Sequence, residues 1–171
     1  ETTWIMATGY PETNFLTQNI MQFIEEVETA TNGELRIQLH SNGTLIPLDS
    51  IRRAVQTNQV QIGEVRLGSY SNEDPMYNLA GLPFVAGSYE DAWALMEAQR
   101  PYFDAMFADL GFMALAYQPW PGQGFYTQGP VNGLADFEGL KLRIYSQATM
   151  EMGNALGFEA TILPFAEIPQ A

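Results

Sequence analysis

The fold is decided by residues 4–39, which read WIMATGYPETNFLTQNIMQFIEEVETATNGELRIQL. Residues 4–7 predict a short buried strand. The apolar residues that follow recur at helical spacing and predict one face of a helix: Leu16, Ile20, Phe23, Ile24, Val27 and Ala30. Asn32-Gly33 is expected to end this helix, and the alternation of apolar and polar residues over 35–39 predicts a second strand. A strand, a helix and a strand in this order indicate an α/β fold with a parallel sheet.

The same alternation of strands and helices continues along the chain. Asp49 or Ser50 is expected to cap a second helix and Ser88 a third, with Pro101 separating the third helix from a fourth over residues 102–110. The remaining predicted elements are strands at residues 60–67, 112–117, 140–145 and 160–163, an extended segment at 125–127, a helix ending at Gly157, and the start of a helix at 166–171. We therefore expect mostly parallel sheets throughout.

Residues 119–124, PWPGQG, change the composition of the chain abruptly. A Pro- and Gly-rich stretch of this kind is typical of a crossing between lobes. We predict a first α/β lobe over residues 1–120. Residues 121–171 are predicted to be the crossing strand and the first part of a second lobe.

Composition argues against several classes of function. The 171 residues include 7 basic and 20 acidic ones, for a net charge of −13, which argues against binding to nucleic acid or to anionic lipid. There is no cysteine, so a disulfide or a Cys-ligated metal site is impossible. No apolar run approaches the roughly 18 residues of a membrane span. Residues 1–4 lack the features of a signal peptide, so we expect the numbering to begin at a processed end.

Several segments resemble the DctP-type solute-binding component of tripartite ATP-independent periplasmic (TRAP) transporters. The most specific is residues 134–143, LADFEGLKLR, which is similar to the family's DLKGLKIR. The others are the first strand–helix–strand unit with residues 34–37, residues 57–63, Leu82-Pro83-Phe84 followed by residues 88–92, and residues 156–160 followed by 164–168. Their order along nearly the whole chain makes the resemblance specific.

The resemblance implies a two-lobed periplasmic-binding-protein-like α/β fold, with the first lobe nearly complete here and the second partial. It implies a periplasmic protein that captures a small organic acid in the cleft between its lobes, without catalysis. Uptake would be driven by an ion gradient through integral membrane subunits, and the protein would not insert into the membrane itself. No cofactor and no metal are expected.

Arg143 is the first candidate for ligand binding. It lies near the end of a predicted strand beyond the crossing, and ligands of open α/β sheets lie outside the carboxyl ends of strands. A planar guanidinium holds a carboxylate through two parallel charge-assisted bonds. From spacing alone, pairing with a surface glutamate is the commoner explanation. The resemblance favours the ligand, because the matching arginine in the family binds the substrate carboxylate.

Residues 120–125 are the expected source of apolar contact with the ligand. Trp120 and Phe125 could enclose it, with Gln123 donating or accepting a hydrogen bond; ordinary packing between lobes would explain the aromatic residues equally. Many members of the family carry a second arginine where Gly124 or Phe125 stands here. That departure argues against a dicarboxylate or a sialic-acid-like ligand and favours one carboxylate on a partly apolar body.

Glu64 and Arg66 interrupt an otherwise apolar strand and share one of its faces, which is costly unless they are paired or reach a cleft. Pairing with structural neighbours is one interpretation. The other places Glu64 where it accepts a hydrogen bond from a ligand hydroxyl or amine. Further candidates for ligand binding are Tyr10, Asn14 and Tyr145, although Asn14 could instead cap the first helix.

Two other functions are alternatives to solute binding for transport. The single histidine, His40, ends a predicted strand, and without Cys or a second His it would have to build a nucleophilic pair alone; a hydrolase based on two carboxylates stays open. A ligand-sensing module with the same fold is the second alternative. Nothing in these residues separates it from a transport protein.

Overall fold

The computed structural model describes residues 1–170. Its helices and strands, numbered along the chain, are β1 (Thr2–Ala7), α1 (Phe15–Ala30), β2 (Leu35–His40), α2 (Ile51–Gln56), β3 (Ile62–Gly63), α3 (Tyr89–Asp109), β4 (Lys141–Ile144), α4 (Gln147–Ala155) and β5 (Glu159–Ile162). They are distributed over two compact units. Unit 1 contains residues 1–66 and 104–115, and unit 2 contains residues 67–103 and the described residues from 116 onward. The predicted lobe boundary at residue 120 stays a prediction.

Unit 1 is built on a parallel sheet of order β2-β1-β3, in which Ala7 pairs with Gly63. Adjacent strand residues point to opposite faces. Met6 packs with Ile20 of α1 on one face, and Ala7 packs with Ile51 of α2 on the other. The sheet therefore has a helix on each face, as predicted for an α/β fold.

The first helix begins and ends where the sequence predicts. Asn14 caps its N-terminus by accepting a hydrogen bond from the Leu16 N–H at 2.9 Å. After the helix, Asn32 and Gly33 adopt positive φ angles of 49° and 77°. Left-handed backbone is the geometry that Asn and Gly tolerate best at a helix C-terminus.

Unit 2 contains the parallel pair β4-β5, in which Arg143 stands opposite Thr161. Ile144 is buried on the face covered by α4, where a Cβ added to Gly153 would lie 3.9 Å from its Cγ2. Ser146 caps α4 together with Thr149, each side chain bonding the other's backbone N–H. All strand pairs among the described residues are parallel, as the sequence predicts.

Three predicted boundaries are wrong. Helix α3 is continuous through Pro101, because Gln99, Phe103 and Phe107 recur every four residues and are at most 3% exposed. Their burial outweighs the roughly 3 kcal/mol that an interior proline costs. Strand β3 is only two residues long; its neighbour β1 ends at Ala7, so residues 65–67 have no ladder to join.

The third error concerns residues 112–117, which form no strand; the extended segment predicted at residues 125–127 also forms no regular element. Their composition suits a strand, but no described strand runs beside them, and Met113 and Leu115 are exposed. A strand requires a hydrogen-bonded neighbour, which a local pattern does not reveal.

The predicted caps and the final helix had mixed outcomes. Ser88 accepts from the Asp91 N–H at 3.1 Å at the start of α3, as predicted. The Ser50 side chain makes no capping bond to α2, and Asp49 pairs with Arg66 instead. The predicted helix from residue 166 is a 3-10 turn over Phe165–Gln170, and Ala171 lies outside the described residues.

Candidate ligand-binding site

The carboxyl ends of β1 and β3 bring an acidic group and a hydroxyl together in unit 1. Ala7 pairs with Gly63, so the next residue on each strand, Thr8 and Glu64, also stand side by side. The Glu64 N–H donates to the Ala7 carbonyl at 2.9 Å, which extends the ladder by one bond. Thr8 is fully buried, and Glu64 is half-buried.

The Thr8 hydroxyl donates a hydrogen bond to Glu64 Oε2. The Thr8 hydroxyl oxygen, Oγ1, in turn accepts from the Tyr10 N–H at 3.2 Å. Burial raises the pKa of Glu64 above its ordinary value, and the bond from Thr8 lowers it in part. Desolvation favours the neutral carboxyl group, whereas a donated hydrogen bond favours the carboxylate.

Two glycines allow this strand end to be tightly packed. A Cβ on Gly63 would lie 2.3 Å from Ile51 Cγ2, and a Cβ on Gly9 would lie 2.5 Å from Leu48 Cβ. Helix α2 and the turn before it therefore lie directly against the backbone that carries Thr8 and Glu64. This close approach holds the backbone on both sides of the pair.

A basic group occupies the corresponding position in unit 2. Arg143 Nε donates to the Leu163 carbonyl at 2.9 Å, and its guanidinium carbon lies 5.1 Å from the centroid of the Tyr145 ring. Leu163 follows β5 directly, and its N–H donates to the Ile144 carbonyl at 3.4 Å. The backbone of the neighbouring strand thus fixes the direction of the arginine.

Because side chains alternate along a strand, Arg143 lies on the face of β4 that helix α4 does not cover. Leu142 and Ile144 lie on the face that contacts α4, and Arg143 between them points to the other face. The guanidinium also has an edge formed by Nη1 and Nη2, apart from the Nε that bonds Leu163. Such an edge matches a carboxylate through two parallel bonds.

The predicted aromatic segment has no helix or strand over residues 118–127. Phe125 packs in a cluster of rings, with its centroid 5.0 Å from that of Phe137 and 5.5 Å from that of Phe158. Trp120 is 41% exposed, and the Gln123 side chain donates to the Gly124 carbonyl at 3.2 Å. Phe125 therefore contributes to the packing of unit 2, and ligand contacts by Trp120, Gln123 and Phe125 stay predictions.

The sequence model of one family, described as bacterial extracellular solute-binding protein, family 7 (DctP), matches residues 6–171. The chain belongs to this family. Members of the DctP family are extracellular solute-binding proteins and not enzymes, which confirms the predicted resemblance, the absence of an enzymatic role and the extracytoplasmic location.

Solved structures of DctP-type receptors are similar over the whole chain. DctP7, a Bordetella pertussis extracytoplasmic solute receptor binding pyroglutamic acid, is 40% identical, with a TM-score of 0.96 over 100% of this chain and 57% of its own. A marine metagenome TRAP solute-binding protein specific for pyroglutamate is 39% identical, with a TM-score of 0.94 over 100% of this chain and 56% of its own.

A more distant TRAP periplasmic solute-binding protein, from Sulfitobacter sp. NAS-14.1 with bound β-D-galacturonate, is 25% identical. Its TM-score is 0.87, over 99% of this chain and 57% of its own. The chain therefore spans a little over half the length of these DctP-type receptors. Their fold confirms the predicted two-lobed class, of which these residues form a part.

The remaining predicted ligand residues have structural contacts of their own. Asn14 makes the capping bond to α1 that was its alternative explanation. Tyr10 is 3% exposed, and its carbonyl accepts from the Asn42 N–H at 2.8 Å. Tyr145 lies beside Arg143. Their roles in ligand binding stay predictions.

Sequence reasoning missed two residues that hold the candidate groups, Thr8 and Leu163. Each directly follows a strand that pairs with the strand leading to Glu64 or carrying Arg143. The signal is their position one residue beyond a strand end, which becomes informative only when the strand pairing is known.

Arg66, the other charged residue of the predicted third strand, lies 3.7 Å from Asp49 Oδ1. This contact agrees with the interpretation that Arg66 pairs with a structural neighbour. Among residues 1–170, no group of three or more acidic or His side chains could hold a metal ion. No helix in this range is long and apolar enough to cross a membrane.

Proposed function

We propose that the full-length protein is the solute-binding component of a TRAP transporter and that it captures pyroglutamate or a closely similar cyclic monocarboxylate. The observation that carries the proposal is the fixed guanidinium of Arg143 at the carboxyl end of β4. The bound solute would be passed to integral membrane subunits for uptake driven by an ion gradient.

The chemistry of pyroglutamate fits the groups that the chain offers. The ligand has one carboxylate, a lactam N–H donor, a carbonyl acceptor and an apolar ring edge. Arg143 supplies a planar cation for the carboxylate, and Glu64 supplies an acceptor for an N–H group. No second arginine stands at residues 124–125, where many members of the family carry one, which argues against a dicarboxylate or a sialic-acid-like ligand.

Similarity supports the same ligand class. The two receptors at 39–40% identity bind pyroglutamate, whereas the receptor at 25% identity has galacturonate bound. A uronate has several hydroxyl groups, each of which requires a polar partner once water is excluded. The aromatic segment around Trp120 and Phe125 suits a smaller and less polar body.

Arg143 orients the ligand but does not supply all of the affinity. A charge-assisted hydrogen bond contributes about 1.5–3 kcal/mol, and a micromolar dissociation constant corresponds to about 8 kcal/mol. Exclusion of water and burial of apolar ligand surface would supply the difference.

The proposal is tested by calorimetry on the full-length protein with four acids and one amide. Pyroglutamate is expected to bind more tightly than galacturonate, glutamate or proline, and pyroglutamamide, which lacks the charged carboxylate, is expected not to bind. At a ligand concentration one hundred times the dissociation constant, the free energy of unfolding should rise by about 2.7 kcal/mol. Tighter binding of galacturonate, or equal binding of the amide, would overturn the proposal.

The role of Arg143 is tested by Arg143→Lys, which keeps the charge and removes the planar fork. We expect at least tenfold weaker binding of pyroglutamate, because an ammonium group does not replace two parallel bonds. The matched control is Arg36→Lys, since Arg36 is exposed and pairs only at the surface with Glu1, at 2.7 Å. Wild-type affinity in Arg143→Lys would remove Arg143 from the site.

A further inference from the structure

We propose that Thr8 is a positioning residue of the ligand-binding machinery, whose hydroxyl fixes Glu64 as a hydrogen-bond acceptor and so selects ligands that present an N–H group. This inference rests on the proposed function, since the ligand is the same cyclic acid. It concerns the ring nitrogen of that acid and not the carboxylate.

The direction of the Thr8 hydroxyl proton follows from the partners of the hydroxyl oxygen. A hydroxyl has a single proton and two acceptor lone pairs. The Tyr10 N–H already donates to Thr8 Oγ1 at 3.2 Å and occupies one lone pair. The proton is therefore directed to Glu64 Oε2, which has to accept it.

The Thr8 side chain has little freedom to turn elsewhere. Its N–H donates to the His40 carbonyl at 3.0 Å, and its carbonyl accepts from the Gly43 N–H at 3.0 Å. The side chain is fully buried, and a β-branched residue is already restricted at its first rotatable bond. The hydroxyl is thus held in place before a ligand arrives.

With Thr8 held in this way, Glu64 would act toward a ligand as a hydrogen-bond acceptor. An ionised carboxylate accepts hydrogen bonds at about four lone-pair positions and donates none, and Thr8 uses one of them. A ligand N–H can donate to such a carboxylate, whereas a methylene at the same place cannot. Loss of the Thr8 hydroxyl would also favour the neutral carboxyl group, because burial already acts in that direction.

The test compares pyroglutamate with 3-oxocyclopentanecarboxylate, in which a methylene replaces the ring N–H and the carboxylate and carbonyl are kept. Wild-type full-length protein is expected to prefer pyroglutamate by at least tenfold, the ratio that one hydrogen bond to a charged group sustains. Thr8→Val keeps the shape and removes the hydroxyl, and should lower this ratio to about threefold or less. Thr8→Ser should restore it, which a purely structural role of the side chain would not require.

Two further variants separate positioning from packing. Thr17→Val is the matched control, because Thr17 is also fully buried in unit 1 and its hydroxyl bonds the Tyr10 carbonyl at 3.4 Å; its ratio should equal that of wild type. Glu64→Gln should lower the ratio as Thr8→Val does, and it decides the question if Thr8→Val does not fold.

The outcomes distinguish this inference from the function on which it rests. A wild-type protein that binds both acids equally, or a Thr8→Val variant with an unchanged ratio, overturns the role of Thr8 and leaves pyroglutamate capture intact. A wild-type protein that binds neither acid overturns the proposed function itself.

Discussion

The end of β3 in unit 1 leads to an acidic side chain and the end of β4 in unit 2 carries a basic one, and each forms a hydrogen bond with the end of the neighbouring strand. At both, a group one residue beyond the neighbouring strand bonds the charged side chain: the Thr8 hydroxyl bonds Glu64, and the Leu163 carbonyl bonds Arg143. The difference is that one support is a side chain and the other is backbone. We infer that the acidic end can be altered by substituting its support, whereas the basic end resists such a change.

The largest expected effect comes from the packing behind the two strand ends. Gly63→Ala would place a Cβ 2.3 Å from Ile51 Cγ2 and 3.0 Å from Val55 Cγ2, two β-branched side chains that do not move aside easily. We expect a loss of about 2–3 kcal/mol in the free energy of unfolding, measured by urea denaturation.

The matched substitution in unit 2 is Gly153→Ala in α4. Its Cβ would lie 3.2 Å from Leu142 Cδ2, the end of a flexible side chain, and alanine improves helix propensity by about 1 kcal/mol. We expect a net change near zero. Equal losses in the two variants would show that the strand ends are packed alike.

The second effect, on the stability of Glu64→Gln relative to wild type, is smaller and depends on pH. The folded state raises the pKa of Glu64 above 4.5 because the carboxyl group is partly buried. The folded state therefore binds this proton more tightly than the unfolded state, so the stabilising contribution is complete below pH 4.5 and is lost as the pH rises through the folded-state pKa. Glu64→Gln has no such proton. Its stability relative to wild type should thus increase between about pH 4 and pH 7.

Thr8→Val tests the pKa shift of Glu64 in a second way. The bond from Thr8 lowers the pKa of Glu64 in part, so its removal should move the loss of stability to higher pH. Denaturation curves of wild type and Glu64→Gln that stay parallel over this range would contradict the raised pKa.

Local sequence patterns predicted the helices and strands that are defined by their own apolar spacing. They missed the contacts that depend on which strands pair. Helix α1 and strand β2 follow from apolar spacing and from the Asn32-Gly33 signal. The proximity of Thr8 to Glu64 follows from the register of β1 with β3, two segments more than fifty residues apart, and no periodicity encodes that register. Pairing also decides against a strand over residues 112–117, where the pattern alone indicated one.

The candidate site also has features that the sequence shows and features that it does not show. Arg143 was identified because it matches a family motif and lies near the end of a predicted strand, both of which are visible in the sequence. Its support was not visible, because a backbone carbonyl belongs to every residue and the identity of Leu163 carries no signal. Phe125 packs against Phe137 and Phe158, a contact that the sequence did not indicate, and its predicted contact with a ligand stays a prediction.

The smallest effect is expected for a substitution of the residue that holds Arg143 at the end of β4. Leu163→Ala keeps the carbonyl that accepts from Arg143 Nε at 2.9 Å, and the pairing of β5 with β4 keeps that carbonyl in place. We expect pyroglutamate affinity to change less than twofold, measured by calorimetry under conditions where the variant is fully folded. The Thr8→Val substitution at the other strand end should change ligand preference several-fold. A large loss of affinity in Leu163→Ala would mean that the side chain, and not the backbone, directs the arginine, and the two strand ends would then share one kind of support.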